Sequence, residues 1–263
     1  MLQKKIKKGK IMNFFLTIAA SDSSGGAGIQ QDLKMAQRTG FWGLSAVTAI
    51  TSQDFHNVYI IEFLKEKVIE TQLKNIFKSF KISAIKIGVL PSIRFAKIIS
   101  QYLNSVDCPK VYDPVYKSSS GHCLLTDEPK EIFQIISPHC TVITPNIPEF
   151  EFYYDTDIKS ALKNFKGKPN IYLKGGHSTE NKIIEYLFYK NTLKHFAYER
   201  SNWVYNKGTG CAFSSLLSMY LVDNEIEIAC QKARRDLVQF YDETNINLHH
   251  IIFATYGSLA KII

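Results

Sequence analysis

The five cysteines of this 263-residue chain, Cys108, Cys123, Cys140, Cys211 and Cys230, are odd in number and widely spaced, with no C-x-x-C pair. Neither a disulfide framework nor a zinc site follows from such a set, and a reducing, cytoplasmic setting fits it best. No apolar run approaches the roughly 20 residues of a membrane span, so no membrane partner is expected. Low-complexity tracts, internal repeats and linkers are also missing. So are the common enzyme signatures: there is no G-x-x-x-x-G-K-[ST] loop, no G-x-G-x-x-G after a strand, and no H-E-x-x-H, G-x-S-x-G or EF-hand pattern. A Walker-type NTPase and a Rossmann dehydrogenase are thereby unsupported.

Positive charge away from the N-terminus is scarce as well. The formal net charge is +8, but Lys4, Lys5, Lys7, Lys8 and Lys10 lie within the first ten residues; without them 27 basic residues face 24 acidic ones, a balance of +3. A basic tail is a weak footing for a nucleic-acid surface, and no nucleic-acid partner is expected. The lysines are followed by Phe14 to Ser21, which has the outline of a secretory signal. Asn13 and Thr17 break that outline and the odd cysteine count speaks against export, so the segment reads as a buried first strand. Met12 is then a candidate start, residues 1–11 a disordered basic extension, and 12–263 one domain.

Apolar residues make up 45% of the chain, enough for a sizeable core. Short β-branched runs at Phe14–Ala19, Leu44–Ile50, Ala84–Val89, Lys110–Tyr112, Cys140–Ile143 and Asn170–Leu173 alternate with segments of helical period. Ile69, Leu73, Ile76, Phe77 and Phe80 mark one such helix. The rhythm predicts a mostly parallel sheet with helices on both faces. Ile183–Tyr189 and Leu193–Tyr198 read as an antiparallel hairpin at the sheet edge. Helices follow at the Phe213–Leu221 stripe and from Glu225 to Tyr241.

Three polar segments sit where such a sheet gathers its strand ends. Gly208-Thr209-Gly210-Cys211 opens a helix, so its unpaired N–H groups form a ready anion site, and the helix dipole can lower the thiol pKa. An ordinary glycine turn before an amphipathic helix fits the same residues. Ser21 to Gly28 follows the first strand and leads into a helix carrying Asp32. Thr144 to Glu149 places Asn146 and Glu149 on one face of a helix start, which suits either Mg2+ or a capping box. Lys174-Gly175-Gly176-His177 and Asp113-Pro114-Val115 add further strand-end polar groups. A parallel sheet brings all five to one edge.

Taken together these segments resemble the hydroxymethylpyrimidine and hydroxymethylpyrimidine phosphate kinases of thiamine biosynthesis, a branch of the ribokinase-like superfamily. The likeness is carried by Leu16–Asp22, Ser24–Gln30 with Asp32-Leu33-Lys34, Thr48–Gln53, Lys86–Leu90, Asp113–Val115, Ile143–Asn146, Lys174–His177 and Gly208–Cys211. It implies a three-layer α/β/α fold whose mostly parallel central sheet has an antiparallel hairpin at its edge. The implied activity is transfer of the ATP γ-phosphoryl group to the pyrimidine alcohol and then to its monophosphate, with Mg2+. By the same resemblance Gly208, Gly210 and Cys211 form the anion hole, Lys174 contacts ATP phosphates, and Asn146 and Thr209 bind ATP. Asp113 and Glu149 are the implied metal-side carboxylates, Asn146 and Glu149 helping to hold Mg2+ and its waters. Ala27, Asp32, Gln53, Val89 and Val115 line the implied pyrimidine pocket. A small molecule is the expected partner, and the resemblance admits a homodimer.

The chain departs from the family where Lys207 replaces the usual His, Asn206 a common Thr, Ser23 a frequent Pro, Asp54 a frequent Asn and Val89 a frequent Met. A pyridoxal or pyridoxine kinase of the same superfamily is the nearest rival reading, and a non-catalytic ligand-binding protein on the same fold the rival from another class.

Overall fold

The computed structural model describes residues 12–118, 121–164, 169–175 and 182–259. The basic stretch at 1–11, together with Gly176 and His177, lies outside them. Nine strands form one sheet in these residues, in the order β3-β2-β1-β4-β5-β6-β7-β8-β9. Five pairs in a row, β2-β1, β1-β4, β4-β5, β5-β6 and β6-β7, are parallel: β1 is Phe14–Asp22, β2 Trp42–Gln53, β4 Ile82–Ile87, β5 Lys110–Tyr112, β6 Val142–Ile143 and β7 Asn170–Leu173. The remaining pairs, β2-β3 and β7-β8-β9, are antiparallel.

The inner strands read as continuous apolar runs because both of their faces are buried. On β1, Leu16 and Ile18 face one core and Phe15 the other; β4, β5 and β6 divide Ile85, Tyr112 and Ile143 from Ala84, Val111 and Val142 in the same way. The first core is closed by α2 (Glu66–Ser79), α3 (Ile93–Leu103) and α4 (Pro129–Ile136). The second is closed by α1 (Gly28–Thr39), α7 (Thr209–Tyr220) and α8 (Ile226–Leu259). Helices α5 (Ile147–Tyr154) and α6 (Ile158–Asn164) pack near β7 in a smaller cluster around Phe150, Ile171 and Phe188. These are the three expected layers.

The expected hairpin is present as β8 (Lys182–Tyr189) and β9 (Thr192–Glu199). Its turn residues Lys190 and Asn191 both have positive φ, 48° and 60°, as a tight two-residue turn matching strand twist requires. Two features differ from expectation. Val58–Phe63 forms β3, an antiparallel partner to β2 at the opposite edge, which periodicity alone did not single out. The last helix also continues to Leu259 rather than stopping near Tyr241. Among the described residues no helix is long and apolar enough to cross a membrane.

Candidate active site

Parallel strands end on one side, and there the chain leaves a cavity of about 570 Å3. Ala27, Gln53, Val89, Val115, Asp113, Asn146, Glu149, Lys174, Gly208, Thr209, Gly210 and Cys211 all line it. Each arrives just beyond a strand or at a helix start. Thus Gln53 closes β2, Asp113 follows β5, and Asn146 follows β6, where it bridges to Lys174 after β7.

Helix α7 opens at Gly208, which adopts φ 77°. A Cβ there would stand 1.9 Å from the Gly26 carbonyl oxygen, so only glycine permits both the turn and the seating of this loop on the Ser21–Gly28 loop. Ala212 N–H donates to the Gly208 carbonyl at 2.9 Å, which leaves the N–H groups of Thr209, Gly210 and Cys211 without partners inside the helix, at the cavity wall. Lys174 comes to the same place: a Cβ at Gly210 would lie 3.3 Å from Lys174 Nζ and 3.8 Å from Asp113 Oδ2. The ammonium donates to Asp113 Oδ1 at 2.6 Å, and Asp113 is 1% exposed. Burial by itself lowers the Lys174 pKa, but Asp113 and Glu149 outweigh it and hold it above the ordinary value.

Asn146 and Glu149 form the capping box of α5: Glu149 N–H donates to Asn146 Oδ1 and Asn146 N–H donates to Glu149 Oε2, each at 2.8 Å. The capping role leaves Glu149 on the cavity wall, 7% exposed. Burial pushes its carboxyl up to about 7, Asp113 adding to the rise and Lys174 opposing it. Two buried carboxylates therefore share one lysine. Among the described residues no group of three His, Cys, Asp or Glu is arranged to hold a metal. Two oxygen donors beside a phosphate site do fit Mg2+, a hard cation that keeps waters and substrate phosphates as its other ligands.

Two expectations are corrected. Asp32 does not line the cavity. It is 0% exposed beneath the floor, where Lys86 Nζ donates to both of its oxygens at 3.1 and 2.9 Å and Thr17 and Ser215 donate at 2.6 and 2.8 Å. Its carboxylate is fully engaged and has no room for a substrate amine. Lys86, 1% exposed, was legible as a charge inside an apolar strand, but only the fold shows its partner. The second correction concerns Cys211, for which the helix N-terminus alone predicts a lowered pKa. Burial instead pushes the thiol up to about 11, against the pull of Lys86.

At the other end of the cavity Asp22 ties the Ser21–Gly28 loop. Its Oδ1 accepts from Ser24 N–H and Oγ at 2.8 and 2.7 Å, and its Oδ2 from Ala27 N–H at 2.7 Å. Gln53 Nε2 donates to Thr51 Oγ1 at 2.7 Å, and Gln53 Oε1 accepts from Lys207 Nζ at 3.0 Å. No local sequence signal joins Lys207 to Gln53.

A helix start with exposed N–H groups, a lysine and two carboxylates at one end of a cavity, with polar and apolar ring-sized walls at the other, defines a small-molecule phosphotransferase of ribokinase-like fold. Comparison with known proteins agrees. Residues 22–252 match the profile described as phosphomethylpyrimidine kinase. The hydroxymethylpyrimidine/phosphomethylpyrimidine kinase of Haemophilus influenzae is 35% identical over 239 residues, covering 85% of this chain and 88% of that one. The crystal structure of phosphomethylpyrimidine kinase from Clostridium difficile 630 superposes with a TM-score of 0.72 at 34% identity, covering 86% and 98%. A pyridoxal kinase from Staphylococcus aureus in complex with AMP-PCP and pyridoxal gives 0.76 at 27% identity, covering 86% of each chain. The chain belongs to the phosphomethylpyrimidine kinase family.

Proposed function

We propose that this kinase transfers the γ-phosphoryl group of ATP to 4-amino-5-hydroxymethyl-2-methylpyrimidine and then to its monophosphate, giving the diphosphate used in thiamine biosynthesis. The observation that carries the reading is the meeting of the Gly208–Cys211 helix start with the Lys174–Asp113 pair at one end of a cavity whose other end presents Gln53, Val89 and Val115. Phosphoryl transfer is mostly positioning plus charge stabilisation, and these are the groups it needs. The N–H groups of Thr209, Gly210 and Cys211 receive the phosphoryl oxygens, Lys174 neutralises them, and Asn146 and Thr209 orient ATP. Asp113 and Glu149 are the residues that would hold Mg2+, which would supply positive charge against that of the phosphates. At the acceptor end, the Gln53 amide offers both a donor and an acceptor to the aminopyrimidine edge, while Ala27, Val89 and Val115 pack its ring and methyl group.

Five free cysteines support action in the cytoplasm, and a homodimer belongs to the same reading, testable by light scattering. The decisive experiment presents MgATP with hydroxymethylpyrimidine, its phosphate, pyridoxine and pyridoxal, and measures ADP release. Turnover of both pyrimidines above the pyridoxine-type acceptors is expected. Preference for pyridoxal transfers the chain to the rival kinase reading, and turnover of none refutes the enzyme.

A further inference from the structure

The acceptor end of the cavity holds a cation that transfer to a neutral alcohol does not require. Lys207 precedes Gly208 at the mouth of the anion hole and lines the cavity, with its side chain 17% exposed. Its ammonium donates to two neutral oxygens, Gln53 Oε1 at 3.0 Å and the Asp54 carbonyl. Asp22 Oδ2 is 3.9 Å away, beyond hydrogen-bond distance, and that carboxylate is already occupied by Ser24 and Ala27. Asp22 is therefore a long ion-pair partner of the ammonium at 3.9 Å, and among the described residues the ammonium makes no third hydrogen bond. A mostly buried ammonium, hydrogen-bonded only to amide oxygens and set 3.9 Å from a carboxylate that already accepts from Ser24 and Ala27, stands to gain from an anion within hydrogen-bond reach.

The same contact decides what Gln53 offers. With Oε1 accepting from Lys207 and one Nε2 proton given to Thr51, each amide group already has one partner within the protein. An uncharged aminopyrimidine must compete with an ammonium for the Gln53 oxygen. An acceptor that already carries a phosphate brings its own competitor for that ammonium.

We propose that Lys207 is the specificity-determining residue for the phosphorylated acceptor: its ammonium moves from Gln53 to the acceptor's phosphate, binding the anion and freeing the Gln53 oxygen for the ring in one event. The inference rests on the kinase reading above and deepens it. It makes this chain favour the monophosphate over the alcohol.

The test compares kcat/KM for hydroxymethylpyrimidine and for its monophosphate, both with MgATP, in wild type, Lys207→Gln and Lys207→Arg. The segment before Gly208 is anchored through its backbone, by Tyr241 Oη to the Lys207 carbonyl at 2.6 Å and by Asn245 to Tyr205, so replacing the Lys207 side chain spares that anchoring. One charge-assisted hydrogen bond corresponds to about tenfold or more in affinity. Lys207→Gln is therefore expected to lower the monophosphate-to-alcohol ratio of kcat/KM by about tenfold or more, through the KM of the monophosphate. Lys207→Arg is expected to keep most of the ratio. Calorimetric titration of the monophosphate without ATP reads the same loss as a weaker Kd. An unchanged ratio in Lys207→Gln, or an equal loss in Lys207→Arg, overturns the proposal. Wild-type protein inert toward both pyrimidines would instead refute the kinase reading beneath it.

Discussion

Glu149 offers a test in which stability and activity move in opposite directions. Its carboxyl is raised from the ordinary 4.5 to about 7, by burial first and by Asp113 in addition, against Lys174 and the Asn146 N–H. A carboxyl that holds its proton more tightly in the fold than in the unfolded chain stabilises the fold fully below pH 4.5 and loses that contribution as pH rises through 7. At about 1.4 kcal/mol per tenfold in proton affinity, the rise from 4.5 to about 7 amounts to about 3 kcal/mol lost by pH 8. Glutamine has the shape of the protonated acid, can keep the acceptor for Asn146 N–H, and carries no charge to desolvate. Glu149→Gln should raise the Tm of the ligand-free protein at pH 8 by on the order of 5–10 °C and scarcely change it near pH 4.5, while kcat/KM with MgATP falls on both acceptors. Scanning calorimetry at the two pH values reads the stability. An equal Tm change at both, or a lower Tm at pH 8, refutes the idea that Glu149 is held charged at the expense of stability.

Lys174→Met removes the cation from the phosphate end and leaves Asp113 buried without it, so kcat/KM should fall about 100-fold or more on both acceptors alike; a loss confined to one acceptor contradicts the assignment. Burial holds the Cys211 thiol near 11, so if it serves as general base the alcohol's kcat/KM climbs with pH above 7. Cys211→Ala should then abolish that climb and cost roughly 10²- to 10⁴-fold, while the monophosphate, whose second pKa is about 6, shows neither effect. Comparable losses on both acceptors give Cys211 to the shape of the anion hole instead. Asp32→Asn leaves Lys86 buried and without its counter-ion, at a cost of about 3–5 kcal/mol in urea unfolding and with no selective rise in either acceptor's KM. A stable variant with impaired acceptor binding would restore Asp32 to the substrate pocket.

How much of this was legible beforehand depends on how far each feature reaches along the chain. Strand and helix periods are local, and the parallel rhythm they imply carries Asp113, Asn146, Lys174 and Gly208 to one sheet edge. The order of the chain alone therefore gathers those residues, and the capping box and the helix start at Gly208 follow from a few neighbouring residues. Strand β3 was within reach of the same reasoning, since Val58 to Phe63 is rich in β-branched and aromatic residues, but its place beside β2 is a matter of pairing.

Tertiary structure alone decided which groups are dry and which are paired. Asp22, at the end of β1, and Asp32, in α1, stand ten positions apart, yet only Asp22 reaches the cavity, because Lys86 from a central strand claims Asp32 from below. At Cys211 desolvation outweighs the downward pull that a helix start exerts on a thiol pKa. Lys207 meets Gln53 across 154 positions of sequence. Periodicity and capping depend on residues a turn apart and so are written in the order of the chain. Burial and counter-ions depend on whichever segment packs opposite, and that is set only when the sheet closes.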